Sequence, residues 1–274
     1  MARIGMVNYI NTAPIYEIWK ERVYPDSWKI IEGQPSALNE MLAGNEIDLG
    51  FVSSYAYSLD PKRYQILAGL SISATGPVDS VLLLSSIPPQ ELGGKLVLLT
   101  GQSGTSVCLV RIILEEFFGI QPAYITGNAY TAQQEHEDVA AVLAIGDDAL
   151  RMTIENRYPY RLDLSQHWYE ETGLPFVFSV CAIRQEFIDT HPDDARAIRQ
   201  AFVDCRKVGA ERMPEICDRV ARRIPMDCEM CSRYLHGIEH NLSPAKIAGL
   251  ERFYQILIQR NEADAETLPL KIFE

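Results

Sequence analysis

Short apolar runs alternate with amphipathic stretches through the first third of the chain. RIGMV (3–7) has the length and composition of a buried strand, and helical spacing follows from about Ala13 to Lys20, behind Pro14. WKIIEG (28–33) repeats the pattern, leading to a helix that opens at Pro35-Ser36 and carries the apolar 3.6 period in LNEML. EIDLGFV (46–52) leads into a short helix from Ser53. Alternation of this kind with short loops predicts βαβ units on a parallel sheet. Two longer apolar strands come next, YQILAGLSI (64–72) and VDSVLLLSS (78–86).

Beyond Pro88-Pro89 the pattern restarts. KLVLLT (95–100) reads as a strand, GQSGTS as a Gly/Ser turn, and VCLVRIILEEFFGI (107–120) as an amphipathic helix stopped by Gly119. PAYITG (122–127) is a further strand, and DVAAVLAIGDDAL (138–150) is a strand running into a helix. After PFVFSVCAI (175–183) everything reads as helix: 191–213, 214–223, MDCEMCSRYLHGIEHNL as one helix, and 243–260 behind the Ser243-Pro244 start. The strands 78–86 and 175–183 bracket the second unit and are expected to cross between domains. The result is an α/β protein of two lobes, 1–82 with 183–274 and an inserted 87–175. Ligand sites in such folds lie in the cleft, at the carboxyl ends of parallel strands.

A length of 274 residues suits two domains of that size. The longest apolar runs, VLLL (81–84) and FVFSVCAI (176–183), fall far short of the roughly 20 residues that span a bilayer. Nothing at the start has the form of a secretory leader, so a cytoplasmic protein with no membrane partner is expected. A net charge of −12 argues against a nucleic-acid partner. It leaves room for a small anion, because N–H groups at helix starts can hold one inside an acidic protein. The amphipathic C-terminal helices suit either their own domain or a second copy, which leaves an oligomer open.

The six cysteines sit in apolar or helical contexts and read as reduced, buried thiols. Cys228, Cys231, His236 and His240 form C-x2-C-x4-H-x3-H, which looks like a zinc set. On one continuous helix, however, Cys228 and His240 stand roughly 18 Å apart along the axis. Unless Gly237 breaks that helix sharply, ligands of a single ion cannot be spread so far. No zinc site is expected from this set.

Polar residues collect where strands end. Asn8, Tyr9, Asn11 and Thr12 follow the first strand, Ser53, Ser54 and Tyr55 the third, and Asp79 and Ser80 lie at the crossover. In the second unit, Ser103, Gly104, Thr105 and Ser106 follow one strand, and Gly146, Asp147 and Asp148 another. Thr172 to Phe176, including Pro175, precede the return strand. Each group alone has a plain explanation, because Ser, Thr and Asp before helices are N-caps. Together they offer one chemistry from both lobes: amides, hydroxyls and free N–H groups, suited to carboxylates and hydroxyls of a small ligand. His136, His167 and His191 lie outside these loops and read as solvated or capping side chains.

Six segments taken in order carry a resemblance: VNYINTAPIY, PSALNEMLAGNEIDLGFVSSYAY, GPVDSVLLLSS, SGTSVCLVRIILEE, AIGDDAL and DLSQHWYEETGLPFVFSVCAI. They resemble the menaquinone-biosynthesis enzymes of the futalosine route, and among these the chorismate dehydratases. The resemblance covers most of residues 3–183 and weakens in the C-terminal helices. It implies a type II periplasmic-binding-protein-like fold with two crossover strands and a central cleft. The implied reaction is loss of water from chorismate to give 3-[(1-carboxyvinyl)oxy]benzoate, without cofactor or metal. A sister enzyme of the same fold makes 1,4-dihydroxy-6-naphthoate with a cleft histidine, which none of the cleft motifs here supplies. A small-anion binding protein is the other alternative.

On this reading Asn11 and Ser80 belong to the reacting centre. Ser53, Ser54, Ser103, Gly104, Thr105 and Ser106 hold carboxylates, and Asn8, Gly146, Asp147, Pro175 and Phe176 shape the pocket. Asp79 and Asp147 are the candidate side-chain bases in the motifs, and both also have a structural reading, so the expected base is the substrate's own side-chain carboxylate.

Overall fold

Residues 1–135 and 137–274 are described by the computed structural model, and their strands form two sheets. His136, read above as part of an acidic helix, lies outside the described residues. The first sheet is built from β1 (Ala2–Val7), β2 (Trp28–Gly33), β3 (Leu49–Ser53) and β4 (Tyr64–Ala74). The second contains β5 (Val81–Ser85), β6 (Leu96–Thr100), β7 (Ala123–Gly127), β8 (Val139–Ile145) and β9 (Tyr160–Asp163). The chain then returns to the first sheet with β10 (Phe176–Arg184) and ends there with β11 (Ile272–Phe273). Strand orders are β11-β4-β10-β3-β1-β2 and β7-β6-β8-β5-β9.

Both sheets are mixed rather than parallel. β1 runs parallel to β2 and β3, while β10 is antiparallel to β3 and β4. β6 runs parallel to β7 and β8, while β5 is antiparallel to β8 and β9. The antiparallel members β5 and β10 are the strands that directly follow the two crossings. The first crossing is made without a helix between β4 and β5, and the second after a helix, Leu164–Thr172, that lies between β9 and β10. The chain passes from the first sheet to the second through residues 75–80 and comes back through 173–175. β3 and β5 are buried at every position, as strands covered on both faces are. β9 was not foreseen, because YRLD has no apolar run to announce it.

The helices of the first third are α1 (Ala13–Lys20), α2 (Pro35–Ala43) and α3 (Ser54–Leu59), with a single 3-10 turn, Ile10–Thr12, before α1. The second unit carries α4 (Gly104–Ile112), α5 (Ala132–Glu135), α6 (Gly146–Ile154) and α7 (Leu164–Thr172). After β10 come α8 (Gln185–Thr190), α9 (Pro192–Glu211), α10 (Met213–Val220), α11 (Cys228–Gly237) and α12 (Pro244–Gln259). α9 lies on α1 and β4, and α12 on β10, so these amphipathic helices cover the first sheet. Contact between α9 and α1 is so close that a Cβ at Gly209 would overlap the carbonyl oxygen of Pro14. Among the described residues, no helix is long and apolar enough to cross a membrane.

The segment read as one helix through His240 stops at Gly237. β11 pairs only with Ile66 and Leu67, which leaves the far edge of β4 open. Residues 239–240 occupy it: Glu239 N–H donates to Ser73 O at 2.8 Å, and Ser71 N–H to His240 O at 3.0 Å. An exposed strand edge is worth more to the chain than another turn of helix. The four zinc-like side chains part accordingly. Cys228 faces Asp218, Cys231 is buried, His236 turns to the Ser232 carbonyl, and His240 Nε2 reaches the Asn11 carbonyl at 2.6 Å.

A carbonyl only accepts, so His240 Nε2 carries the proton in that bond. Burial lowers the pKa of the imidazole to about 4, against the pull of the Asn11 carbonyl. Between an ordinary 6.5 and that value the unfolded chain binds a proton that the folded chain refuses. Stability is therefore lost as pH falls from 6.5 toward 4, by about 3 kcal/mol. Urea unfolding at pH 7 and pH 4 should show His240→Gln losing about that much less than the unaltered chain on acidification. Equal losses would refute the assignment. Gly209→Ala should cost about 1–3 kcal/mol by forcing α9 off Pro14, read as a lower urea midpoint at constant m-value.

Candidate active site

A cavity of about 60 Å³ lies between the two sheets. Its polar lining is Asn11, Ser53, Ser80, Ser103, Ser106 and Ser179, and its apolar lining includes Val7, Ile72, Val78, Val81, Ile145 and Phe178. Tyr9, Pro35, Gly146 and Ile238 complete it. No carboxylate, imidazole, amine or guanidinium is among the lining residues. Strand ends bring these groups together. Asn11 follows β1, Ser53 ends β3, Ser103 and Ser106 follow β6, and Gly146 follows β8.

The hydroxyl oxygens of Ser53, Ser103 and Ser80 already accept from donors of the protein. Ser53 Oγ caps α3 by accepting from Ala56 N–H at 3.1 Å, and Asn39 of α2 grips the same residue through Ser53 N–H at 3.0 Å. Ser103 Oγ caps α4, accepting from Ser106 N–H at 3.3 Å. Ser80 Oγ accepts from the Tyr234 hydroxyl at 3.0 Å. A serine whose lone pair is taken in this way still has its own proton to give. The cavity thus presents O–H donors, which is what an anionic or hydroxylated ligand requires. α2 and α6, each of nine residues, start at the cavity with no side-chain cap. Their N-terminal dipole ends favour negative charge there.

Asn11 adds an amide to this set. Its Oδ1 is buried and has no partner among the described residues, although unpaired buried acceptors are costly. Ser80 owes its aim to the preceding turn. Asp79 has φ of 58°, in the left-handed region, and is held there by Asp163, which accepts from Val78 N–H at 2.9 Å and from Asp79 N–H at 2.7 Å. Asp79 itself borders a separate hollow beside Arg161 and Arg233.

The remaining expected site residues stand outside the lining, each with a partner. Asn8 donates to Glu32 and accepts from Arg223. Ser54 donates to Val177 O, and Thr105 Oγ1 accepts Tyr55 N–H at 2.9 Å across the two sheets. Gly104 lies against the Tyr55 ring. Asp147 Oδ1 accepts from Ile10 N–H at 3.3 Å, and burial raises its pKa. Pro175 packs its carbonyl on Gly249, and Phe176 is buried with Trp168 and Phe253. A β-bulge at Phe178, between the pairs Val177–Ser73 and Ser179–Ile72, instead turns Phe178 and Ser179 of β10 toward the cavity.

Tyr9 closes the mouth. Its hydroxyl lies 2.9 Å from Gln102 Oε1, and its ring covers Gly146, where φ of 56° and the ring contact both favour glycine. Burial pushes the Tyr9 phenol up to about 12, so it stays protonated. His167 packs on Phe118, His191 meets Thr190, and the His240 ring, outside the cavity lining, bonds to the Asn11 carbonyl. Ser179 was legible as a polar residue in an otherwise apolar strand, whereas nothing local marked Tyr234 or His240.

The chain is similar to several known proteins. A chorismate dehydratase from Thermus thermophilus is 29% identical over 269 residues, covering 93% of this chain and 94% of that protein. The alkanesulfonate-binding protein SsuA from Xanthomonas axonopodis pv. citri, bound to MOPS, superposes with a TM-score of 0.71 at 15% identity, covering 99% of this chain and 97% of that one. The Candida albicans CA3427 gene product, described as exhibiting the generic periplasmic binding protein fold, gives a TM-score of 0.66 at 11% identity, covering 100% and 96%. The fold is therefore that of the two-lobed periplasmic-binding-protein class, as the sequence resemblance implied. A family model described as menaquinone biosynthesis matches residues 2–259, and the chain belongs to that family.

Proposed function

We propose that this chain dehydrates chorismate to 3-[(1-carboxyvinyl)oxy]benzoate. The observation that carries the reading is a cavity lined by hydroxyl donors and one amide, with no carboxylate, imidazole, amine or guanidinium among its described lining residues. The Thermus relative named chorismate dehydratase supports it. A cytoplasmic location belongs to the same proposal.

Chorismate offers two carboxylates, a ring hydroxyl and an enolpyruvyl ether. In the elimination the C–H bond at the ether-bearing carbon breaks, its electrons enter the ring, and the C–O bond to the hydroxyl breaks. The product ring is aromatic, which drives the reaction. The substrate's side-chain carboxylate takes the proton and passes it to the departing hydroxide, which leaves as water. A hydrogen-bond donor that keeps its own proton stabilises the charge on that oxygen as the C–O bond breaks. Ser80 supplies that donor, and Asn11 holds the reacting edge. Ser53, Ser103 and Ser106, with the starts of α2 and α6, bind the carboxylates. Protein groups of this kind work by orientation and by hydrogen bonds ready before charge develops.

The cavity has room for roughly four or five waters, well short of a ring compound with two carboxylates. Entry therefore requires the two α/β units to part, turning about residues 75–80 and 173–175. Tyr9 is the side chain that substrate must pass.

Incubation with chorismate should abolish the diene absorbance and yield the aromatic ether. Ser80→Ala and Asn11→Ala should each lower kcat by roughly 10²-fold, while Asp79→Asn stays near the unaltered rate. Affinity without turnover would identify a binding protein, and loss of activity in Asp79→Asn alone would identify a protein base.

A further inference from the structure

Ser80 differs from the other hydroxyls of the cavity in how its oxygen is satisfied. Ser53 and Ser103 precede helices and accept from their own helix N–H groups. Ser80 precedes β5, where no helix start offers a donor. Its backbone is fixed, since Ser80 O accepts Gly146 N–H at 2.7 Å, but its hydroxyl rotor is free to turn. The donor that restrains it comes from 154 positions away: the phenol of Tyr234, in α11, at 3.0 Å. Tyr234 does not line the cavity. It borders the hollow on the other side of Ser80, with Asp79 and Arg233.

We infer that Tyr234 is a positioning residue for the dehydration, occupying the lone pair of Ser80 Oγ so that the Ser80 proton points at the leaving hydroxyl. The inference rests on the dehydratase reading above. Tyr234 is buried, and burial holds its phenol far above neutral pH, so it donates throughout the working range. A phenol is also a better donor than a serine hydroxyl, which fixes the direction of the bond. Without it, the Ser80 proton has a second place to go, the empty side toward α11, and the ground state loses its alignment.

Tyr234→Phe removes the donor and keeps the ring. Its kcat should fall roughly tenfold with KM little changed, the size of one lost hydrogen bond. A structural role would lower activity in any background, so the deciding measurement is a cycle with Ser80→Ala. In the Ser80→Ala background, Tyr234→Phe should have no further effect on the residual rate of product formation. Equal loss in both backgrounds, or unchanged kcat in the single variant, would overturn the inference. Thermal unfolding of Tyr234→Phe serves as a control, with a melting point close to that of the unaltered chain expected. No turnover by the unaltered chain would instead refute the dehydratase reading, and this inference with it.

Discussion

Hydroxyl groups around the cavity have one proton and a limited set of acceptor directions, and the protein fills the latter. A helix N–H occupies the oxygen of Ser53 and of Ser103, and the Tyr234 phenol occupies that of Ser80. Ser53 and Ser80 are left with a proton to give, while Ser103 and Ser106 share a hydrogen bond in which one of the two donates to the other. Buried helix starts must find partners for their first N–H groups, so capping and ligand binding are served by the same residues. The uncapped starts of α2 and α6 add positive dipole ends to the same space. An acidic protein with a net charge of −12 can hold an anion here because the charge complement is made from backbone and hydroxyls.

Behind this ring stands one segment, residues 228–241. α11 delivers Tyr234 to Ser80, and the extended residues after Gly237 deliver His240 to the Asn11 carbonyl. The two residues read as the reacting centre, on different sheets, are backed by the same stretch of chain. Its attachment to the open edge of β4 through Ser71 and Ser73 gives that stretch a fixed depth. The ion pair of buried Lys246 with half-buried Glu239, at 2.5 Å, ties it to α12.

The contacts that hold the two α/β units together over the cavity are of another kind. Tyr9 with Gln102, Thr105 with Tyr55 N–H, and Asp147 with Ile10 N–H are single polar bonds across the gap. Each is worth only about 1 kcal/mol once exchange with water is counted. Beside these latches, ion pairs of Arg260 with Glu115 and Glu116, and of Arg111 with Glu262, join the same two units away from the cavity. Several residues that the sequence offered as ligand-binding groups, Thr105 and Asp147 among them, serve in the structure as these latches.

Local pattern determined a good part of this protein. The strand–helix alternation, the Pro and Ser helix starts, and the polar strand ends at Asn11, Ser53, Ser80, Ser103, Ser106 and Gly146 were legible because each rests on neighbours within a few positions. So was the family resemblance carried by the same loops. The tertiary structure decided the rest. Sheet pairing made both sheets mixed, and a bulge at Phe178 moved the cavity wall from Phe176 to Phe178 and Ser179. The open edge of β4 broke a helix that periodicity alone had continued to His240. Tyr234 and His240 gained their meaning from partners 154 and 229 positions away. Helical spacing reports which face of a segment is buried, but not which oxygen waits on the other side.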